Sequence, residues 1–189
     1  MRLILASRSP RRAALLEQLG IEFEAMAADI DESVHAGEAP DAYVTRMARS
    51  KAATVAGRAG HRGIVLGADT TVVADGVMLA KPKDRDDARR MLSRLSGGTH
   101  QVYSGVAVIG TAVHRALSVT AVTFGHLDAA EIEAYLDTEE PWDKAGAYAI
   151  QGRAARFVAR IEGSYSGVVG LPLYETCRLL DRASEQHPA

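Results

Sequence analysis

The chain is predicted to be an α/β or α+β protein built around a mixed β-sheet, and three observations carry that reading. Apolar runs of strand length, such as "RLILA" at 2–6 and "GIVLGAD" at 63–69, alternate with segments of helical periodicity. Those helical segments are bounded by capping residues, prolines and glycines. Two pairs of apolar, β-branched runs meet at Asp75-Gly76 and near Gly110, which is how antiparallel hairpins read. A strictly alternating parallel sheet has no place for such hairpins, so parallel and antiparallel pairs should share one sheet.

Taken in order, "RLILA" reads as a buried strand ended by Ser7. Ser9 suits an N-cap and Pro10 the first helical position; Leu15, Leu16 and Leu19 share a face, and Gly20 stops the helix. "IEFEA" at 21–25 alternates as a second strand does. The acidic "ADIDES" and the glycine and proline of "HAGEAP" form a loop before a helix over 41–58, again with a proline at its start. "GIVLGAD" is a strand ending in an acid, followed by the hairpin "TVVADGVMLA". "DRDDARRMLSRLSGG" has acids first, bases later and glycine last, the charge order that a helix dipole favours. His100 to Phe124 forms a hairpin, "DAAEIEAYLDT" a helix, "AYAIQGRAARFVARIEG" mostly strand with a central glycine, and "GLPLYETCRLLDRA" a final helix. Only "EQHPA" reads as a loose tail.

With 189 residues, 47% of them hydrophobic and 24% charged, residues 1–189 are expected to form one domain with a real core. The apolar start is too short for a signal peptide, and no run is long enough to span a membrane. Cys177 is the only cysteine, so no internal disulfide can form and a cytoplasmic location is expected. A net charge of -2 with scattered basic residues leaves no general footprint for nucleic acid. The histidines at 35, 61, 100, 114, 126 and 187 form no i, i+4 pair, so a zinc site is not expected. Neither a P-loop nor a G-x-S-x-G elbow is present.

The stretch "ASRSPRR" at 6–12 is the first candidate for chemistry. Helix N-termini favour anions, yet Arg11 and Arg12 stand where carboxylates are usual, opposing the dipole by roughly 0.3–1 kcal/mol each. A bound anion reverses that cost, and guanidinium groups add planar donors, so the loop reads as a polyphosphate site. Arginines turned away into solvent are the plainer alternative. Asp69, followed by Thr70, ends an apolar strand, where α/β proteins place ligand-contacting groups. Asp31 and Glu32 lie in the acidic loop, and Lys81 follows the hairpin. Such carboxylates can hold a hard cation such as Mg²⁺ beside substrate phosphates, or take a proton from water. Equally, Asp69 could cap a turn and the acidic loop could simply be solvated. "GSYSGVVG" could cradle an anion or form a tight loop.

Seven ordered segments, "LASRSPRRAALL", "DES", "GADTTVV", "KP", "ML..LSGGTHQVYSGVAV", "EPWDKAGAYAIQG" and "GSYSGVVGLPL", resemble the motifs of the Maf family of nucleoside triphosphate pyrophosphatases. The resemblance runs from Leu3 to about Leu180. It implies two lobes around a central cleft, an elongated mixed sheet flanked by helices similar to the inosine-triphosphate pyrophosphatase fold, and Mg²⁺- or Mn²⁺-dependent hydrolysis to the monophosphate and pyrophosphate. By position it implies that Asp69 activates water and that Glu32 helps with metal or water. Lys51 and Lys81 would add positive charge, and Ser7, Arg11 and Arg12 would hold phosphates. Arg11, Thr70 and Gln151 resemble the branch acting on dTTP and UTP, whose housekeeping substrates would include 5-methyl-UTP and pseudouridine triphosphate. The family also allows a homodimer, and its name carries an alternative, a regulator of septum formation. Ala80, Ala149 and Gly167 depart from the family pattern without removing a charge.

Overall fold

The structure is a computed structural model and describes residues 2–60 and 63–185. Its centre is a mixed sheet in the order β2-β1-β3-β5-β6-β7, with β4 paired to β3 off that path. The strands are β1 (Leu3–Leu5), β2 (Glu24–Ala25), β3 (Ile64–Ala74), β4 (Val77–Leu79), β5 (Thr99–Ile109), β6 (Val113–Phe124) and β7 (Val158–Glu162). β1 pairs in parallel with β2 and β3, and every other pairing is antiparallel. The mixed sheet expected from the two hairpin signals is therefore what forms.

One face of the sheet is covered by α2 (Pro40–Ala59). The other packs into the larger core with α1 (Pro10–Gln18), α3 (Arg85–Leu95), α4 (Ala129–Leu136), α5 (Tyr165–Val169) and α6 (Leu173–Glu185). Alternation along the strands sorts side chains between the layers: Leu3, Leu5, Leu66 and Ala68 join the larger core, while Ile4 and Val65 join α2. Being buried on both faces, these strands read as continuous apolar runs. Helix ends follow the capping signals. Asp84 accepts from the Asp87 amide at the start of α3, and Asp128 with Glu131 forms a capping box on α4.

α2 approaches the sheet unusually closely. A Cβ on Gly67 would lie 2.2 Å from the Ala48 carbonyl oxygen, and one on Gly105 would lie 2.6 Å from that of Val44. Asp69 and Gly105 are register partners across β3 and β5, so both glycines and Asp69 face α2.

Several expectations need correction. "IEFEA" contributes only Glu24–Ala25 to the sheet, because the Ile21 amide bonds back to Leu16 and is spent on ending α1. Residues 147–163 are strand only over Val158–Glu162. Before that lie a tight turn, with Gly146 and Ala147 at positive φ, and a 3-10 turn over Arg153–Phe157. There the Ala149 and Arg153 amides bond to side chains, Tyr135 and Glu140, which leaves no ladder to propagate. Asp69 does not end a strand, since "GIVLGAD" and the first arm of the hairpin are one continuous β3. Glu185 closes α6 rather than opening a tail, and 186–189 lie outside the described residues.

That continuity makes a fork. β5 pairs along one edge of β3 from Val65 to Val73, while on the other edge β1 reaches only Leu66 and β4 takes up only at Val72. Residues 67–71 are therefore left uncovered on that edge, and Asp69 lies at the middle of the gap.

Behind the fork His100, 2% exposed, bonds through Nε2 to the Tyr148 hydroxyl at 2.9 Å and meets Phe124 edge-on. Burial pushes its pKa down to about 4. A depressed histidine is held neutral, so the unfolded chain binds the extra proton and stability falls as pH drops from about 6.5 to 4, by about 3 kcal/mol in all. Urea midpoints measured across that range should fall steeply, and His100→Gln should flatten the slope. Gly67→Ala should lower stability by about 1–3 kcal/mol through overpacking against α2, read in the same unfolding experiment.

Candidate active site

The close approach of α2 determines where Lys51 lies. Lys51 belongs to the buried stripe Val44, Met47, Ala48, Lys51, Ala52 and Val55, and its ammonium ends at the fork. It is 2.6 Å from Asp69 Oδ1 and 2.6 Å from Glu32 Oε1. Asp69 and Lys51 are both buried, whereas Glu32 is half exposed. Burial pushes the Glu32 carboxyl up, but its bond to Lys51 and the charges of Lys51, Lys81 and Arg12 outweigh that and hold it below the usual range. Tyr43, also on α2, donates to the Glu32 carbonyl at 3.0 Å and so anchors the loop that carries this acid. Burial, with Asp69 and Glu32 nearby, pushes the Tyr43 phenol up to about 12.

Across the gap, the turn from β1 into α1 presents Ser7, Arg11 and Arg12. Ser9 occupies the N-cap position but its side chain makes no capping bond; instead its amide donates to Ser7 Oγ at 3.1 Å. No acid lies in the first turn of α1, so no side chain of the helix competes with an anion there. Arg12 donates through Nε to the Gly170 carbonyl at 2.8 Å and through Nη1 to Ser7 Oγ at 3.2 Å. Burial lowers its pKa, the Asp69 charge opposing and the Arg11 charge adding to that effect. A guanidinium stays charged regardless. Arg11 instead reaches Asp143 at 3.1 Å. The third arginine, Arg8, pairs with Asp29.

"GSYSGVVG" does not stay a loop. It forms α5, and its last residue, Gly170 at φ +130, offers a carbonyl that accepts from Arg12 and from Thr70. Thr70 points to the face away from α2. There Ser104 spends its own proton on the Gly167 carbonyl at 2.7 Å and lies 2.8 Å from Thr70 Oγ1. With Ser104 donating to Gly167, Thr70 can donate to Ser104 or to the Gly170 carbonyl and keep a lone pair for the cleft. Gln151, exposed on a turn, lines the same cleft of about 870 Å³ as Asp69, Glu32, Lys51, Lys81, Ser7, Arg11, Arg12 and Thr70. The structure thus brings every predicted site residue to one cavity.

A family model described as Maf, Maf-like protein, matches residues 2–183. The chain belongs to the Maf family. It is 56% identical to a dTTP/UTP pyrophosphatase of Myxococcus xanthus, covering 96% of this chain and 92% of that one. It is 52% identical to another so named from Pseudoalteromonas atlantica, covering 98% of both. The solved Staphylococcus aureus Ham1 protein superposes with a TM-score of 0.52 over 98% of this chain and 99% of its own, at 11% identity, which shows a shared fold.

In this Maf chain the donor set fits a divalent ion only in company with phosphates. Among the described residues, no group of three or more His, Cys, Asp and Glu side chains could hold a metal. Glu32 and Asp69 each give one oxygen to Lys51 and keep the other, which suits a hard cation completed by substrate oxygens and water. Asp31 is turned to Ser33 instead.

Sequence reasoning missed Tyr43, Gly170 and Asp143. Lys51 could have been found without the family resemblance, because it is the one charged residue in the apolar stripe of α2. Lys51→Met should leave Glu32 and Asp69 facing each other without a shared cation, and raise the Glu32 carboxyl above its present range. Carboxyl-detected NMR titration checks this; an unmoved Glu32 would show that Lys51 does not govern its charge.

Proposed function

We propose that this chain hydrolyses dTTP and UTP, and with them modified pyrimidine nucleotides such as 5-methyl-UTP and pseudouridine triphosphate, to the monophosphate and pyrophosphate. The observation that carries the reading is the Lys51 ammonium held between Asp69 and Glu32, with Arg11 and Arg12 lining the same cleft. The names of the relatives support the same substrates.

In this reading Ser7, Arg11 and Arg12 grip the phosphate chain, with Lys81 closing on it from the hairpin. Asp69 takes the proton of a water that attacks the α-phosphorus; the bond to the bridging oxygen breaks and pyrophosphate leaves. Lys51 orients the Asp69 carboxylate and offsets the charge that gathers as phosphate approaches two acids. Mg²⁺ or Mn²⁺, held by Glu32, Asp69 and substrate oxygens, would supply further charge neutralisation. Thr70, acting as an acceptor, and Gln151, with a donor and an acceptor, suit the N3–H and ring carbonyls of uracil and thymine. Cytosine carries a lone pair at N3 and would leave an acceptor facing an acceptor.

We further propose that residues 1–189 act as one domain with two lobes around the cleft, supported by the single sheet that runs past it. A cytoplasmic nucleotide-pool role is supported by the substrate class. Among the described residues no helix is long and apolar enough to cross a membrane.

Initial rates of pyrophosphate release across dTTP, UTP, CTP, GTP, ATP, 5-methyl-UTP and 7-methyl-GTP, with Mg²⁺ and then Mn²⁺, test the proposal. Uracil and thymine nucleotides should lead, and Asp69→Asn should lower kcat by about 10²–10⁴. Nucleotide binding without turnover on any of them would favour a regulatory role instead.

A further inference from the structure

The wall of the cleft that carries Gln151 is not a regular element, and side chains hold its shape. The Ala149 amide donates to the Tyr135 phenol oxygen at 3.1 Å, and the Arg153 amide donates to both oxygens of Glu140 at 2.9 Å each. Between these clamps the Gly152 amide closes a turn onto the Ala149 carbonyl at 3.0 Å, with Gln151 at its crest.

Gly152 has φ -108, which any residue adopts. Its lack of a side chain matters for another reason. A Cβ there would lie 2.3 Å from Glu140 Oε2 and 2.5 Å from Oε1, so the carboxylate rests directly on the backbone of the turn.

Glu140 is itself held. Its amide donates to Thr138 Oγ1 at 3.3 Å, and its carbonyl accepts from Lys144 Nζ at 2.7 Å. Lys144 also pairs with Asp143, the partner of Arg11. One short segment thus holds the Gln151 turn on one side and a phosphate-facing arginine on the other.

We propose that Glu140 is a positioning residue for base recognition: through the Arg153 amide and the bare face of Gly152 it sets the Gln151 amide toward the cleft, without itself touching the nucleotide. The inference rests on the reading of Gln151 as a base-contacting residue. The need is physical. Gln151 is exposed and rotamer-rich, so it can discriminate between rings only if its backbone is fixed beneath it. A carboxylate that merely supported the fold would, on removal, slow every nucleotide alike.

The test compares kcat and KM for dTTP, UTP and CTP, together with thermal unfolding, in the parent chain and in Glu140→Ala, Glu140→Gln, Gly152→Ala, Gln151→Ala and the Glu140→Ala/Gly152→Ala double variant. Glu140→Ala and Gly152→Ala should each raise KM for dTTP and UTP by about tenfold or more, with kcat within about threefold, and cut the preference over CTP by a similar factor. The double variant should be no worse than the poorer single one, because both act through one contact. Glu140→Gln keeps one acceptor for the Arg153 amide and should recover most of the preference. If Glu140→Ala does not fold, Gly152→Ala and Glu140→Gln carry the same comparison. Preference kept in the Glu140 and Gly152 variants but lost in Gln151→Ala overturns the positioning role and leaves the base reading standing. Preference unchanged in Gln151→Ala overturns both. An equal loss on all three nucleotides with a lowered Tm shows a structural role and overturns the proposal.

Discussion

Backbone meets backbone where α2 crosses the sheet, and the cleft depends on that contact. Gly67 and Gly105 carry no side chain into the interface, so the helix lies where a single methyl group would collide with its carbonyls. At that separation the side chain of Lys51 is long enough to pass the apolar layer and end beside Asp69. A buried ammonium is tolerated only when paired, and here two carboxylates satisfy it. The pair is thus a constraint more than a source of stability: it ties α2, the middle of β3 and the acidic loop to one point, and either partner left alone would be an uncompensated buried charge.

The same strand organises the opposite face. Alternation along β3 turns Asp69 toward α2 and Thr70 toward α5, so neighbouring residues serve different walls of the cleft. Thr70, Ser104 and Gly170 form a short relay of hydroxyls and a carbonyl, and its carbonyl end also aims Arg12. Gly170 can do this because its positive φ, awkward for other residues, turns the chain sharply after α5. Arg12 is thereby held to Ser7 and Gly170 rather than to Asp69 or Glu32.

Much of this was legible from local signals. Pro10, Pro40, Asp84 and Asp128 marked helix starts that the structure keeps, and Asp75-Gly76 marked the turn between β3 and β4. Arg11 and Arg12 marked a cluster of cations at the start of α1, and both line the cleft. What misled was local too. "IEFEA" and "AYAIQGRAARFVARIEG" have strand-like patterns, yet their amides bond to Leu16, Tyr135 and Glu140, partners that lie outside the strand-like segments themselves. Asp69 looked like a strand end because an acid breaks an apolar run, whereas it is an acid in mid-strand whose charge is met by a lysine 18 residues earlier.

The sequence by itself determined the element types, most helix ends and the set of charges available to the cleft, since these follow from periodicity, capping chemistry and residue identity. Only the tertiary structure decided that β3 runs on past Asp69, that β1 and β4 leave its edge bare between them, and that Lys51, Glu32 and Arg12 converge there. Which edge of a strand is left uncovered, and which charges face it, depends on pairings and close approaches between residues far apart in the chain, and no local preference encodes them.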